Sequence, residues 1–100
     1  MRTITIQQAI QADNKTIIQV VEQVIANLKE EFGLVHRYQN GSVVFVCTEG
    51  VAKGTKGRLD ASTTGIRLTI EPNFFLWATR SNVVKSIREE LDNIIKGVAK

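Results

Sequence analysis

A thiol and an imidazole are the pair used in covalent acyl transfer, and this 100-residue chain holds one of each, Cys47 and His36. The strands that carry them flank Asn40-Gly41, the dipeptide that most readily takes the positive φ angles of a two-residue hairpin turn. With those two residues as the loop, Tyr38 pairs with Val43, His36 with Phe45 and Leu34 with Cys47. Thiol and imidazole then share a face in diagonal relation. No acid adjoins them there to orient the imidazole, so the expectation is a core thiol beside a partly buried histidine and no catalytic site. One His and one Cys also leave a tetrahedral zinc short of protein ligands, and neither a metal nor a cofactor is expected.

Gly50 to Arg58 has the glycine and lysine content of a phosphate loop. It lacks the Gly-Lys-Ser/Thr spacing and leads into a strand instead of a helix, so it reads as a connection. No acid occurs between Glu49 and Asp60, which leaves Lys53, Lys56 and Arg58 as a candidate anion contact. Single-stranded nucleic acid would call for exposed aromatics interleaved with basic residues on a sheet. Tyr38 and Phe45 share their face with Leu34 and Val43, which predicts burial under helices, and nucleic acid is not the expected partner.

Three of the six aromatic residues fall within Phe74-Phe75-Leu76-Trp77, just after the only proline, Pro72. Aromatic side chains dominate cores and interfaces alike. The segment either plugs the junction between a sheet and the last helix, forms a dimer interface, or turns Phe74, Phe75 and Trp77 outward onto an apolar surface.

Composition narrows the setting. With 43% hydrophobic and 23% charged residues the chain reads as one globular domain over 1–100. Its apolar runs are far shorter than the ~18 residues a membrane-spanning helix needs. The N-terminus, Met1-Arg2-Thr3-Ile4-Thr5, carries no signal-peptide apolar block. A lone cysteine fits a reducing compartment, and the expected location is the cytoplasm. The net charge of +3 is too small to mark a polyanion binder by itself.

The elements that must position these residues follow from periodicity. Ile4 and Ile6 alternate with threonines as in a strand. Ile17, Val21, Val24, Leu28 and Phe32 form one stripe of a helix, widened by Ile18, Val20 and Ile25. Asp13 or Asn14 can cap its start, and Gly33 ends it. The Asn40-Gly41 hairpin comes next, and then a second hairpin from about Thr55 to Glu71 that turns at Thr63-Thr64-Gly65. A last helix starts at Ser81 or Asn82, with Val84, Ile87, Leu91, Ile94 and Val98 on one side. The order β-α-β-β-β-β-α predicts an α+β fold, an antiparallel sheet with two helices on one face. The first hairpin is apolar on both faces, so something should cover the second one. Val35, Val44 and Val46 there make a candidate homodimer face.

These features in order include Phe32-Gly33-Leu34, Tyr38 followed by Gly41, Gly50-Val51 leading to Gly57-Arg58-Leu59, Ile66-Arg67-Leu68-Thr69-Ile70, Phe74-Phe75-Leu76 and Ile87-Arg88-Glu89-Glu90-Leu91-Asp92. The chain resembles the polyhydroxyalkanoic acid system family, small bacterial proteins often encoded beside genes for polyester granules. It departs from that pattern in lacking a histidine motif between Gln7 and Lys15, in Tyr38 standing where tryptophan is expected, and in added residues around Gly54. The resemblance implies a non-enzymatic accessory role in polyhydroxyalkanoate storage, with the granule surface or a granule protein as partner. It implies no reaction.

Overall fold

The computed structural model describes residues 2–98, so Met1 and the last two positions of the 1–100 domain lie outside the described residues. Strand β1 (Ile4–Ala9) leads to helix α1 (Asn14–Phe32), the hairpin β2 (Leu34–Gln39) and β3 (Ser42–Cys47), a 3-10 turn (Gly50–Ala52), and the hairpin β4 (Lys56–Ser62) and β5 (Gly65–Glu71). A short helix α2 (Phe74–Ala78) and a long helix α3 (Arg80–Val98) complete the chain. The five strands form one antiparallel sheet in the order β1-β5-β4-β3-β2.

Helix α1 begins where the Asp13 carboxylate accepts from the Thr16 amide at 2.8 Å, which satisfies one of the orphaned donors of its first turn. It ends at Gly33, whose φ of 60° lets its N–H turn back to the Lys29 carbonyl at 2.9 Å. The first hairpin has the register that its Asn-Gly turn dictates, with Leu34 opposite Cys47, His36 opposite Phe45 and Tyr38 opposite Val43. Asn40 and Gly41 both have positive φ.

Helices α1 and α3 pack on one another and on the same side of the sheet. Beneath them one cluster joins Ile4 and Ile6 of β1, Val43, Phe45 and Cys47 of β3, Leu59 of β4, and Ile66, Leu68 and Ile70 of β5. Ile17, Val20, Val24, Ile25 and Leu28 close it from α1, and Ile87, Leu91 and Ile94 from α3.

Three features differ from the sequence expectation. The last helix is preceded by α2, whose five residues are too few to show a periodicity. Ile18 is 57% exposed instead of widening the buried stripe. Tyr38 and His36 are exposed as well, Tyr38 at 66%. Two helices packed about 8–10 Å apart cover roughly four strands spaced about 4.8 Å, so β2, the outermost strand, extends past them. Only Leu34 at its start is buried.

Candidate functional site

Six large hydrophobic residues are exposed among those described: Ile18, Val35, Tyr38, Val51, Phe74 and Phe75. Three of them, Val51, Phe74 and Phe75, sit at the end of the sheet where β3 gives way to β4 and β5 to α2. Phe74 is 77% exposed and Phe75 52%, while Leu76 between them and Trp77 is buried in the core and anchors the turn. Trp77 is partly buried, packed against the core cluster.

Asn73 holds this arrangement. Its Oδ1 accepts from the Leu76 amide at 2.8 Å and so caps α2. Its Nδ2 donates to the carbonyls of Val51 at 2.8 Å and Lys53 at 2.9 Å. Its backbone N–H donates to Oγ1 of the buried Thr55 at 3.0 Å. One side chain thereby fastens the aromatic helix to the 3-10 turn, and the exposed Val51 is held beside the exposed phenylalanines. Pro72 precedes it with a fixed φ, which restricts the approach of the chain to the cap.

The surround is cationic. The Arg2 guanidinium lies 6.0 Å from the Phe74 ring centre and 5.8 Å from that of Trp77. Arg80 lies 4.5 Å from the Trp77 ring centre and donates from Nη1 to the Trp77 carbonyl at 2.9 Å. Lys53 adds its charge from the turn. Neither 50–59 nor 72–88 contains an acidic residue, so no carboxylate of these segments neutralises the rim. The whole is an exposed apolar tip with guanidinium groups lying over its aromatic rings.

The family model of the polyhydroxyalkanoic acid system protein matches residues 4–95. This chain belongs to that family. The match takes in both hairpins, the aromatic tip and nearly all of α3. The chain matches no curated protein and no solved structure at a significant level.

The structure distributes the other residues singled out in this family member as follows. Cys47 is buried, and burial pushes its thiol above the ordinary range, which disfavours the thiolate that a nucleophile requires. His36 stacks edge-on against Tyr38 at 6.0 Å, out in solvent and not partly buried as expected, because β2 lies beyond the helices. Among the described residues no group of three or more His, Cys, Asp or Glu is placed to hold a metal ion. Lys56 and Arg58 project from β4 onto the sheet face opposite the helices, whereas Lys53 belongs to the turn beside the aromatic tip. Arg37 and Arg67 stand on that same open face, since Arg37 pairs with Val44, Val44 with Arg58, and Arg67 with Asp60. Strand order alone brings these cations together, and no local sequence signal could have shown it. Arg58 is already engaged there: its Nε lies 3.1 Å from Asp60 Oδ1 and its Nη2 donates to Ser42 Oγ at 3.1 Å. Ser42 in turn donates to Asp60. The Ser42 hydroxyl first, then Arg58, holds the Asp60 carboxyl below the usual carboxylate range. Val35, Val44 and Val46 also meet on the open face, with Val35 directly opposite Val46. Val35 is 54% exposed and the other two are partly buried.

Proposed function

We propose that this chain is a non-enzymatic accessory protein of polyhydroxyalkanoate storage that works in the cytoplasm and attaches to the granule's polyester surface through Phe74 and Phe75, with Trp77 beside them. The observation that carries the reading is the exposure of two adjacent phenylalanines on a helix that Asn73 clamps in place. Large apolar side chains held rigidly in solvent forfeit burial free energy that an apolar surface restores without a cost in reordering the tip. Family membership supplies the storage context. No helix among the described residues is long and apolar enough to cross a membrane, in keeping with a protein that sits on a surface.

The test is co-sedimentation with purified polyhydroxyalkanoate granules, comparing wild type with a Phe74→Ser/Phe75→Ser variant whose fold is checked by circular dichroism. Burying both rings contributes about 2–4 kcal/mol, so the variant's affinity should fall roughly 30- to 700-fold. Trp77 is the built-in reporter, and its emission should move to the blue when wild type docks. Equal sedimentation of the two proteins would refute the role of the tip, and absence of wild-type binding would refute the surface reading.

A further inference from the structure

The other three exposed hydrophobic residues lie at a separate place, along the free edge of the sheet: Val35 and Tyr38 on β2, and Ile18 on α1. Ile18 and Tyr38 help to line a groove of about 480 Å³ between the first turns of α1 and the tip of the first hairpin, floored by Val43 and Leu59. This edge is also a row of unused backbone groups. Gly33 accepts from the Thr48 amide, and the two-residue turn is flanked by Gln39 opposite Ser42. The odd-numbered residues Val35, Arg37 and Gln39 therefore direct their N–H and C=O toward β3. Those of Leu34, His36 and Tyr38 point away from the sheet with no strand to receive them. The opposite edge, β1, differs: its outward side chains Thr5 and Gln7 are polar, and no large hydrophobic residue is exposed on it.

We propose that β2 pairs with β2 of a second copy of this chain across a two-fold axis, joining the two sheets into one with all helices on the same face. The sequence of the strand selects the partner. A two-fold axis requires antiparallel pairing in which facing residues share a side of the sheet. The register centred on His36 uses all three outward-pointing residues, with Leu34 opposite the second copy's Tyr38 and His36 opposite its equivalent. On the open face the same register sets Val35 against the aliphatic stem and guanidinium of the second copy's Arg37. The register centred on Arg37 loses the Leu34 pairs and places two guanidinium groups directly opposite, which is destabilising. The strand is thus complementary to itself in one register and not in the next. On the helix side the same register sets each Tyr38, at the groove that Ile18 also lines, against Leu34 of the second copy, and brings the two His36 side chains together at the axis. An uncovered edge of this kind otherwise invites open-ended association, and two-fold closure uses it up.

This interface is separate from the aromatic tip, and its test does not involve granules. Light scattering across a concentration series should give twice the chain mass of 11.1 kDa. His36→Pro removes an outward-pointing N–H together with the exposed imidazole, at a position where an edge strand tolerates proline. It should leave the circular dichroism spectrum unchanged and weaken the dimer about tenfold or more. Val35→Lys, at an exposed position, brings like charge against Arg37 of the second copy and should do the same without affecting folding. Val44→Glu, on the open face of β3 one strand in from the edge and opposite Arg37 of its own copy, meets no residue of the second copy in this register and should leave the dimer intact. A wild type that is monomeric at every concentration overturns the proposal, as does a full-strength dimer in both folded edge variants. A dimer lost on Val44→Glu alone would move the interface to the open face and overturn it too.

Discussion

Asn73→Ala should detach the aromatic tip from the body of the protein. The substitution removes an N-cap, worth about 1 kcal/mol, and two hydrogen bonds donated to the carbonyls of Val51 and Lys53, each about 0.5–1 kcal/mol net at a solvent-exposed site. The bond from the Asn73 backbone to Thr55 is untouched. The expected loss is therefore about 2–3 kcal/mol, which for a domain of this size lowers Tm by about 10–20 °C. Urea unfolding followed by circular dichroism measures the total. Amide exchange locates it: the amides of Phe74–Ala78 and of the 3-10 turn should exchange faster, by more than those of β4 and β5. Asn73→Asp separates the contributions, since a carboxylate keeps the cap acceptor and places two oxygens against the carbonyls that the amide group had served. That variant should recover the cap and nothing more. An alanine variant within 0.5 kcal/mol of wild type, or an aspartate variant as stable as wild type, would refute the clamp and with it the rigid presentation of Phe74 and Phe75.

Three further outcomes follow from the packing and the charges. A Cβ on Gly57 would fall within 2.6 Å of Phe45 Cε1 in the adjacent strand, and nearer still to the end of the ring, so Gly57→Ala should cost about 1–3 kcal/mol in chemical denaturation, with part of that recovered in combination with Phe45→Leu. Asp60, whose carboxyl is held below the ordinary range by Ser42 and Arg58, contributes stability that is complete above the unfolded-state pKa and disappears as pH falls through the folded-state pKa; Asp60→Asn should show a shallower loss of stability in acid than wild type, with Asp13, lowered by its bond to Thr16, accounting for part of what remains. Glu90 of α3 has the opposite sign, because burial first and the neighbouring Glu31 second raise its carboxyl, so its contribution is lost as pH rises through that raised value. Glu90→Gln should raise Tm at pH 7 and give no advantage in acid below the carboxylate range, which thermal melts at the two pH values would reveal.

Much of this fold was legible because its elements are defined by short-range physics. The Asn40-Gly41 turn dictates a two-residue hairpin and its register, Asp13 and Gly33 bound α1 through groups one turn away, and the alternation of Ile66, Leu68 and Ile70 needs only the period of a strand. The short helix α2 was not legible as a helix, since five residues cannot display a 3.6-residue period, though Pro72-Asn73 is the cap signal that precedes it. The exposure of Tyr38 is not legible for a different reason: the hairpin register gives its face, but whether that face lies under a helix depends on how many strands two helices can cover.

By itself, the sequence determined the five strands and the two long helices, the faces of the strands, the apolar stripes of the helices and the family, since each is encoded in residues that are neighbours along the chain or in the pattern of the whole chain. Tertiary structure alone decided the rest. The order β1-β5-β4-β3-β2 made β2 an edge and gathered Arg37, Arg58 and Arg67 on one open face, and packing divided Phe74 and Phe75, in solvent, from Leu76, in the core. The physical reason is that burial is a property of what lies opposite a side chain, and in this chain the opposing groups come from segments distant in sequence, as when Asn73 reaches back to Val51 and Lys53 to fix the tip.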